Sequence, residues 1–283
     1  MTQRAKNMKI KFTKMHGLGN DFIVIDGVHQ TIDLSPQQIA SMAQRNTGVG
    51  FDQCLLIESG QQDGIDFNYR IFNGDGQEVG QCGNGARCLA LFAKYYGLTD
   101  KNHLTVATST TQMKLHINTD SSVSVDMGIP QLTPSAIPLK AKQQASLYSL
   151  ELAYNQKISF HALSVGNPHA VLLVENTEAA PVHTLGKQIS LHPDFPEQAN
   201  VGFMQIVNPK HIKLRVYERG CGETQACGSG AVAAAAVGRL YHQLDKKITV
   251  TLPGGDLFID WPTFNEPIIL TGPAVFVYEG ILF

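Results

Sequence analysis

Two cysteines stand in the same uncommon setting. "QCGNGARCLA" (81–90) and "ACGSGAVAAA" (226–235) each place a cysteine directly ahead of a Gly-X-Gly step and an alanine-rich run with helical spacing. A sulfur at such a junction faces the N–H groups that a first helical turn leaves unpaired, and the positive end of the helix dipole. Both favour thiolate, so the thiols of Cys82 and Cys227 are expected to titrate below the free value of about 8.5. The glycines admit close approach of a bound group, and the same free amides form a cradle for a carboxylate. Each junction thus offers an acid/base sulfur beside an anion site. Two of them facing one substrate make a two-base racemase: one thiolate removes an α-proton and the opposite thiol returns one to the other face. Helix dipoles and amide donors aimed at the developing charge compensate for a poorly stabilised carbanion. The scheme demands no organic cofactor.

The other cysteines read differently. Cys54, in the strand-like "DQCLLI", and Cys88, on the helix behind Cys82, are small hydrophobes of the core. Cys221 sits in a glycine loop, exposed and oxidisable, with no catalytic role. Neither junction has the CxxC pair or the histidine spacing of a zinc site, so no metal is expected. A dithiol–disulfide pair stays open as an alternative, although the short spacing of a thioredoxin-type site is missing.

The elements that must position these residues repeat. "YRIFNGDGQEVGQCGNGA" (69–86) aligns with "LRVYERGCGETQACGSGA" (214–231) at a constant offset of 145 residues. Arg70 meets Arg215, Glu78 meets Glu223, and Cys82 meets Cys227. Upstream, "GLGNDFIVID" (17–26) is echoed by "SVGNPHAVLLV" (164–174), and "NTGVGFDQ" (46–53) by "QANVGFMQ" (198–205). Downstream, "LTVATSTTQMKLHI" (104–117) parallels "ITVTLPGGDLFI" (248–259), each a strand, a turn and a strand. Similar motifs in one order indicate an internal duplication. In each half Gly-Asn leads into a strand (Phe22–Ile25; Ala170–Val174), a later strand (Phe67–Phe72; Ile212–Tyr217) enters the glycine loop, and a helix follows (Ala86–Tyr96; Ala231–Tyr241). The expected domains are residues 1–126 and 127–272, with the closing strand 273–283 returning to the first. The proline-rich stretch "GIPQLTPSAIPLKAKQQAS" (128–146) reads as the crossing between them.

Composition narrows the partners. Net charge is −2 and no basic cluster is present, which argues against nucleic acid. No apolar stretch approaches membrane-spanning length. The opening "MTQRAKNMKIKF" lacks the apolar segment of a secretory signal. Five cysteines, an odd number in a long chain, do not make a disulfide scaffold. A cytoplasmic protein with reduced thiols is expected.

Taken in order, "MHGLGNDFIVID", "GFDQ", "RIFNGDGQEVGQCGNGARC", "VGNPH", "NVGF", "RVYERGCGETQACGSGA" and "LPGG" resemble the diaminopimelate epimerase family from Met15 to the final strand. The resemblance implies an α/β (α+β) fold of two pseudo-symmetric domains. Each would be a strand-rich pseudo-barrel around a central helix, with the active site in the interdomain cleft. It implies interconversion of LL- and meso-diaminopimelate without pyridoxal phosphate, other cofactor or metal, on the path to lysine and cell-wall peptide, by a homodimer. Cys82 and Cys227 would be the acid/base thiols, and His169 and Glu218 further catalytic residues. Gly83, Asn84, Gly228 and Ser229 would cradle the reacting carboxylate. Asn20, Gln53, Asn73, Asn167, Asn200, Glu218 and Arg219 match substrate-binding positions, and Tyr278 a dimer contact. For His169 a structural histidine behind a proline turn stays open. A two-ended zwitterion needs donors for two carboxylates and acceptors for two ammoniums, and Arg219 suits the distal carboxylate as a bidentate partner. The departures from the family pattern are Cys221, where alanine or valine is common, and an extension ahead of the usual start near Met8. Two competitors are a proline-racemase-like isomerase, whose substrate has no second carboxylate for Arg219, and a non-catalytic thiol-redox or amino-acid-binding protein of the same fold.

Overall fold

The structure, a computed structural model, describes residues 9–80, 82–152 and 156–283; Gln81 of the first cysteine motif and the expected start near Met8 lie outside the described residues. Along the chain come β1 (Ile10–Gly17), β2 (Asn20–Asp26), α1 (Pro36–Ala43), β3 (Gln53–Ser59), β4 (Phe67–Asn73), β5 (Glu78–Val79), α2 (Gly83–Tyr95), β6 (His103–Ala107), β7 (Gln112–Ile117) and β8 (Val123–Asp126). They are followed by β9 (Tyr148–Glu151), β10 (Lys157–Ser164), β11 (Pro168–Leu173), α3 (Val182–Ser190), β12 (Asn200–Asn208), β13 (His211–Glu218) and β14 (Gly222–Thr224). Last are α4 (Gly228–Tyr241), β15 (Lys247–Leu252), β16 (Gly255–Asp260), β17 (Ile269–Gly272) and β18 (Val275–Leu282). The chain divides into two units, Met1–Val125 with Pro273–Phe283, and Asp126–Gly272.

Both units have the same strand order. In the first, β18 pairs antiparallel with β1 and β1 with β2; β2 runs parallel to β3. Then β3 is antiparallel to β4, β4 parallel to β6, and β6, β7 and β8 form an antiparallel run. The second repeats this as β9, β10, β11, β12, β13, β15, β16 and β17, with parallel pairs at β11–β12 and β13–β15. A short arm, β5 or β14, folds back on β4 or β13. In each unit an ion pair ties the arm to its strand: Arg70 to Glu78 at 2.8 Å, and Arg215 to Glu223 at 2.7 Å. Only the edge strand differs in origin, since β9 precedes its sheet in the chain while β18 comes after everything else.

Each unit is strand-rich around one central helix. Helix α2 packs against β1, β2, β3 and β7, and α4 against β10, β11, β12, β13, β15 and β16. Strands from both ends of the order reach the same helix, so each sheet curls around it. The sequence of α4 permits this. Its run of alanines combines the best helix propensity with the smallest side chains, and Ala231 through Gly238 are all buried.

The stretch 128–146 is not a free connector. Ile137 and Leu139 are buried in the core of the second unit with Tyr148, Phe160 and Phe203. Its prolines punctuate a segment that packs, because apolar residues between them reach that core.

Candidate active site

Cys82 caps α2 and Cys227 caps α4, both with extended backbone (φ −151°, ψ 107° and φ −115°, ψ 110°). Each sulfur accepts the N–H of the third helical residue, Gly85 or Gly230, at 3.3 Å. Helix N-caps favour the oxygens of Ser, Thr, Asp or Asn. A sulfur fills that slot in both units. The helices start at Gly83 and Gly228, three residues before the expected Ala86 and Ala231, because the capping bond draws the glycine step into the first turn. At Gly230 a Cβ would lie 3.0 Å from Val216 Cγ2 and 3.2 Å from the Cys227 sulfur, so glycine is what lets that amide reach it.

Strand direction gathers the polar residues at one end of each sheet. In the first unit Asn20 opens β2, Gln53 opens the parallel β3, and Asn73 closes the antiparallel β4. Asn20 Oδ1 accepts Asn84 Nδ2–H at 3.2 Å and lies 3.9 Å from the Cys82 sulfur, while Asn20 Nδ2 donates to Asp52 at 3.0 Å. Gln53 and Asn73 are rung partners, and Gln53 Nε2 donates to Asn73 Oδ1 at 2.9 Å. That leaves Gln53 Oε1 buried without a partner among the described residues.

The second unit uses the same places. Asn167 precedes β11, Asn200 opens the parallel β12, and Glu218 closes the antiparallel β13. Phe22 faces Gln53 across one parallel pair and His169 faces Asn200 across the other. Asn200 therefore stands in the place of Gln53, and His169 in that of Phe22. This overturns the match of 46–53 with 198–205. Val49-Gly50-Phe51 is loop ahead of β3, whereas Val201-Gly202-Phe203 lies inside β12, so the likeness of those short strings is fortuitous.

Around Cys227 the groups interlock. Asn167 Nδ2 donates to Ser229 Oγ at 3.2 Å, and that oxygen lies 3.6 Å from the sulfur. Asn167 thereby turns its Oδ1 to His169, whose Nε2–H donates to it at 3.0 Å. Burial, and then the charge of Arg219, push His169 down to about 3, so the imidazole is neutral. Glu218 accepts the Thr224 hydroxyl at 2.5 Å, and burial pushes its carboxyl up. The Cys227 thiol is pushed well up, first by burial and then by the Glu218 charge. Here the expectation of a lowered thiol is corrected. Desolvation and a neighbouring carboxylate outweigh the helix terminus. Arg219 is exposed; its N–H donates to Asn200 Oδ1 and its Nη1 to Glu197 O, each at 3.0 Å.

Of the remaining residues, Cys54 and Cys88 are buried, and burial pushes both thiols up to about 12. Cys221 is exposed. Tyr278 is half-exposed on β18, its ring edge-on to Phe12 at 6.1 Å, among exposed Val275, Val277 and Ile281. Sequence reasoning missed Asp52 and Thr224, which orient Asn20 and Glu218. It also missed Arg87, although a charged residue within "GNGARCLA" was a visible oddity. Among the described residues no group of three His, Cys, Asp or Glu is placed to hold a metal, and no helix is long and apolar enough to cross a membrane.

Comparison with known proteins agrees along most of the chain. The family described as Diaminopimelate epimerase matches residues 12–133 and 161–277. The diaminopimelate epimerase of Legionella pneumophila (strain Corby) is 71% identical over 275 residues, covering 97% of this chain and 99% of that protein. Two solved structures share the fold at low identity. A hydroxyproline epimerase from Agrobacterium vitis with bound trans-4-OH-L-proline superposes with a TM-score of 0.69 at 13% identity, covering 99% of this chain and 94% of that one. A Bacillus anthracis phenazine biosynthesis protein of the PhzF family gives 0.67 at 16%, covering 98% and 99%.

Proposed function

This chain belongs to the diaminopimelate epimerase family, and from that premise we propose that it interconverts LL- and meso-diaminopimelate with Cys82 and Cys227 as its two bases. The observation that carries the mechanism is the cysteine N-cap, present in each unit at the head of the first-turn amides. The reacting carboxylate takes the first-turn N–H groups of Gly83, Asn84, Gly228 and Ser229. One sulfur, as thiolate, takes the α-proton; the C–H electron pair stays on the α-carbon, and the other thiol donates its proton from the opposite face. The first sulfur ends protonated and the second as thiolate, so the reverse reaction starts from that state. Amide donors and helix dipoles stabilise the carbanion where charge develops. The orphaned Gln53 Oε1 offers an acceptor to a substrate ammonium. Arg219 offers a planar fork to the distal carboxylate, and His169 holds Asn167 in register with Ser229.

The half-exposed apolar side chains of β18, Tyr278 among them, support a homodimer through that strand. An odd number of cysteines, five in 283 residues, supports a reducing, cytoplasmic setting, with the product feeding lysine and cell-wall peptide.

Incubation with LL-diaminopimelate in deuterated water tests the reading. The expected result is meso product carrying deuterium at the inverted α-carbon. Cys82→Ser and Cys227→Ser should each slow this by ~10²–10⁴-fold or more, since one general acid or base is worth that much. Absence of exchange by the wild type, or near-normal turnover by either variant, would overturn it. Exchange of proline instead would favour the racemase-like alternative.

A further inference from the structure

Arg87 lies on α2, five residues beyond Cys82, and its side chain is wholly buried. Its Nε donates to Pro273 O at 3.1 Å, while Nη1 and Nη2 have no partner among the described residues. Nη2 lies 3.0 Å from where a Cβ on Gly17 would stand. Gly17 is the rung partner of Asn20, whose Oδ1 lies 3.9 Å from the Cys82 sulfur. The guanidinium therefore sits behind the cysteine junction.

A guanidinium does not give up its proton in a protein, and leaving one buried without a counter-charge is strongly unfavourable. The groups around the cysteine junction supply few anions. Cys88 keeps its proton, burial having pushed it up to about 12. The Tyr69 phenol, on β4, is pushed well up by burial and stays neutral. Asp52 reaches the junction through Asn20 but is engaged by Arg45 at 2.8 Å, and Asp21 by Lys14 and Arg45. Cys82, half-buried at the helix terminus, is the remaining group within electrostatic reach of the guanidinium that can answer its charge.

The second unit is built the other way. At the 145-residue offset Val232 replaces Arg87, Leu214 replaces Tyr69, and the carboxylate Glu218 replaces Asn73. Cys82 has a buried cation behind it, and Cys227 has a carboxylate beside it. We propose that Arg87 is a positioning residue that sets the resting charge: in the empty enzyme Cys82 is the thiolate and Cys227 the thiol. The inference deepens the two-thiol reading and rests on it.

The test is alkylation of the full-length, substrate-free enzyme by iodoacetamide across pH 5–10, with each cysteine followed by peptide mass spectrometry. In the wild type the pH midpoint for Cys82 should lie at least one unit below that for Cys227. Arg87→Met should raise the Cys82 midpoint by a unit or more, about a tenfold loss of reactivity near neutrality, and leave that of Cys227 in place. Arg87→Lys should restore most of the difference. Equal or inverted midpoints in the wild type would overturn the assignment, as would a folded Arg87→Met whose Cys82 midpoint has not moved. Should Arg87→Met fail to fold, the wild-type comparison and Arg87→Lys decide. Separate midpoints without substrate exchange in deuterated water would sink the two-thiol reading alone; exchange with equal midpoints would sink this one alone.

Discussion

Acid should destabilise the second unit in large part through the His169 imidazole, and His169→Phe should abolish that part of the sensitivity. His169 is 1% exposed, and its folded value is pushed from 6.5 down to about 3. When pH falls below 6.5 the unfolded chain gains a proton that the folded chain cannot take until about 3. The stability that neutral His169 carries is thus complete above 6.5 and drains away between 6.5 and about 3. The slope is about 1.4 kcal/mol per pH unit, or about 2 kcal/mol between 6.5 and 5. Over the whole window the loss is roughly 5 kcal/mol. Phenylalanine is the informative replacement because Phe22 stands in the corresponding place of the first unit. It deprives Asn167 Oδ1 of its donor, at about 1–3 kcal/mol, but this cost is the same at every pH. The slope carries the test, and carboxylates such as Glu218 cancel between the two proteins. Urea unfolding from pH 8 to 5 should be followed by the fluorescence of Trp261, the chain's single tryptophan, which is buried in the second unit. The wild type should lose about 2 kcal/mol more than His169→Phe on going from pH 6.5 to 5. Parallel curves would refute the reasoning, since they would mean that His169 charges in the folded state.

Gly83→Ala separates stability from function. No atom lies within 4 Å of an added Cβ, so the variant should gain about 0.4–1 kcal/mol from reduced unfolded-state entropy. Epimerisation should fall, because the open space is where the carboxylate is placed; a higher melting temperature with unchanged turnover would move the cradle elsewhere. Arg219→Lys should raise KM roughly tenfold and loosen selectivity at the distal stereocentre, as one charge-assisted hydrogen bond of the planar fork is lost. Steady-state kinetics with separate stereoisomers check this, and an unchanged KM would make Arg219 structural. Tyr278→Arg puts a charge into the apolar face of β18 and should shift sedimentation toward monomer. A dimer of wild-type strength would place the interface elsewhere.

Local relations were legible in the chain itself. A capping sulfur and the amide it accepts are three residues apart, so "CGNG" and "CGSG" announce their geometry wherever they fold. The burial of Cys54 and Cys88 followed from apolar neighbours on a strand and a helix. The 145-residue repeat exposed the duplication, because paired motifs keep their spacing when whole elements are copied. Register was not legible: Val-Gly-Phe occurs in a loop of one half and a strand of the other, and only the rungs Phe22–Gln53 and His169–Asn200 show which residues correspond. Nor was protonation. The sequence places Cys82 and Cys227 at equivalent helix ends, and the dipole acts alike on both. Desolvation depends on what distant strands lay over a group, and ion pairing on what they bring beside it. Glu218, at the end of β13, raises Cys227, while Arg87 is sealed behind Cys82 by strands it could not be seen to touch from the chain alone. A cysteine's place at a helix end is written in its neighbours; whether it keeps its proton is decided by the sheet that closes around it.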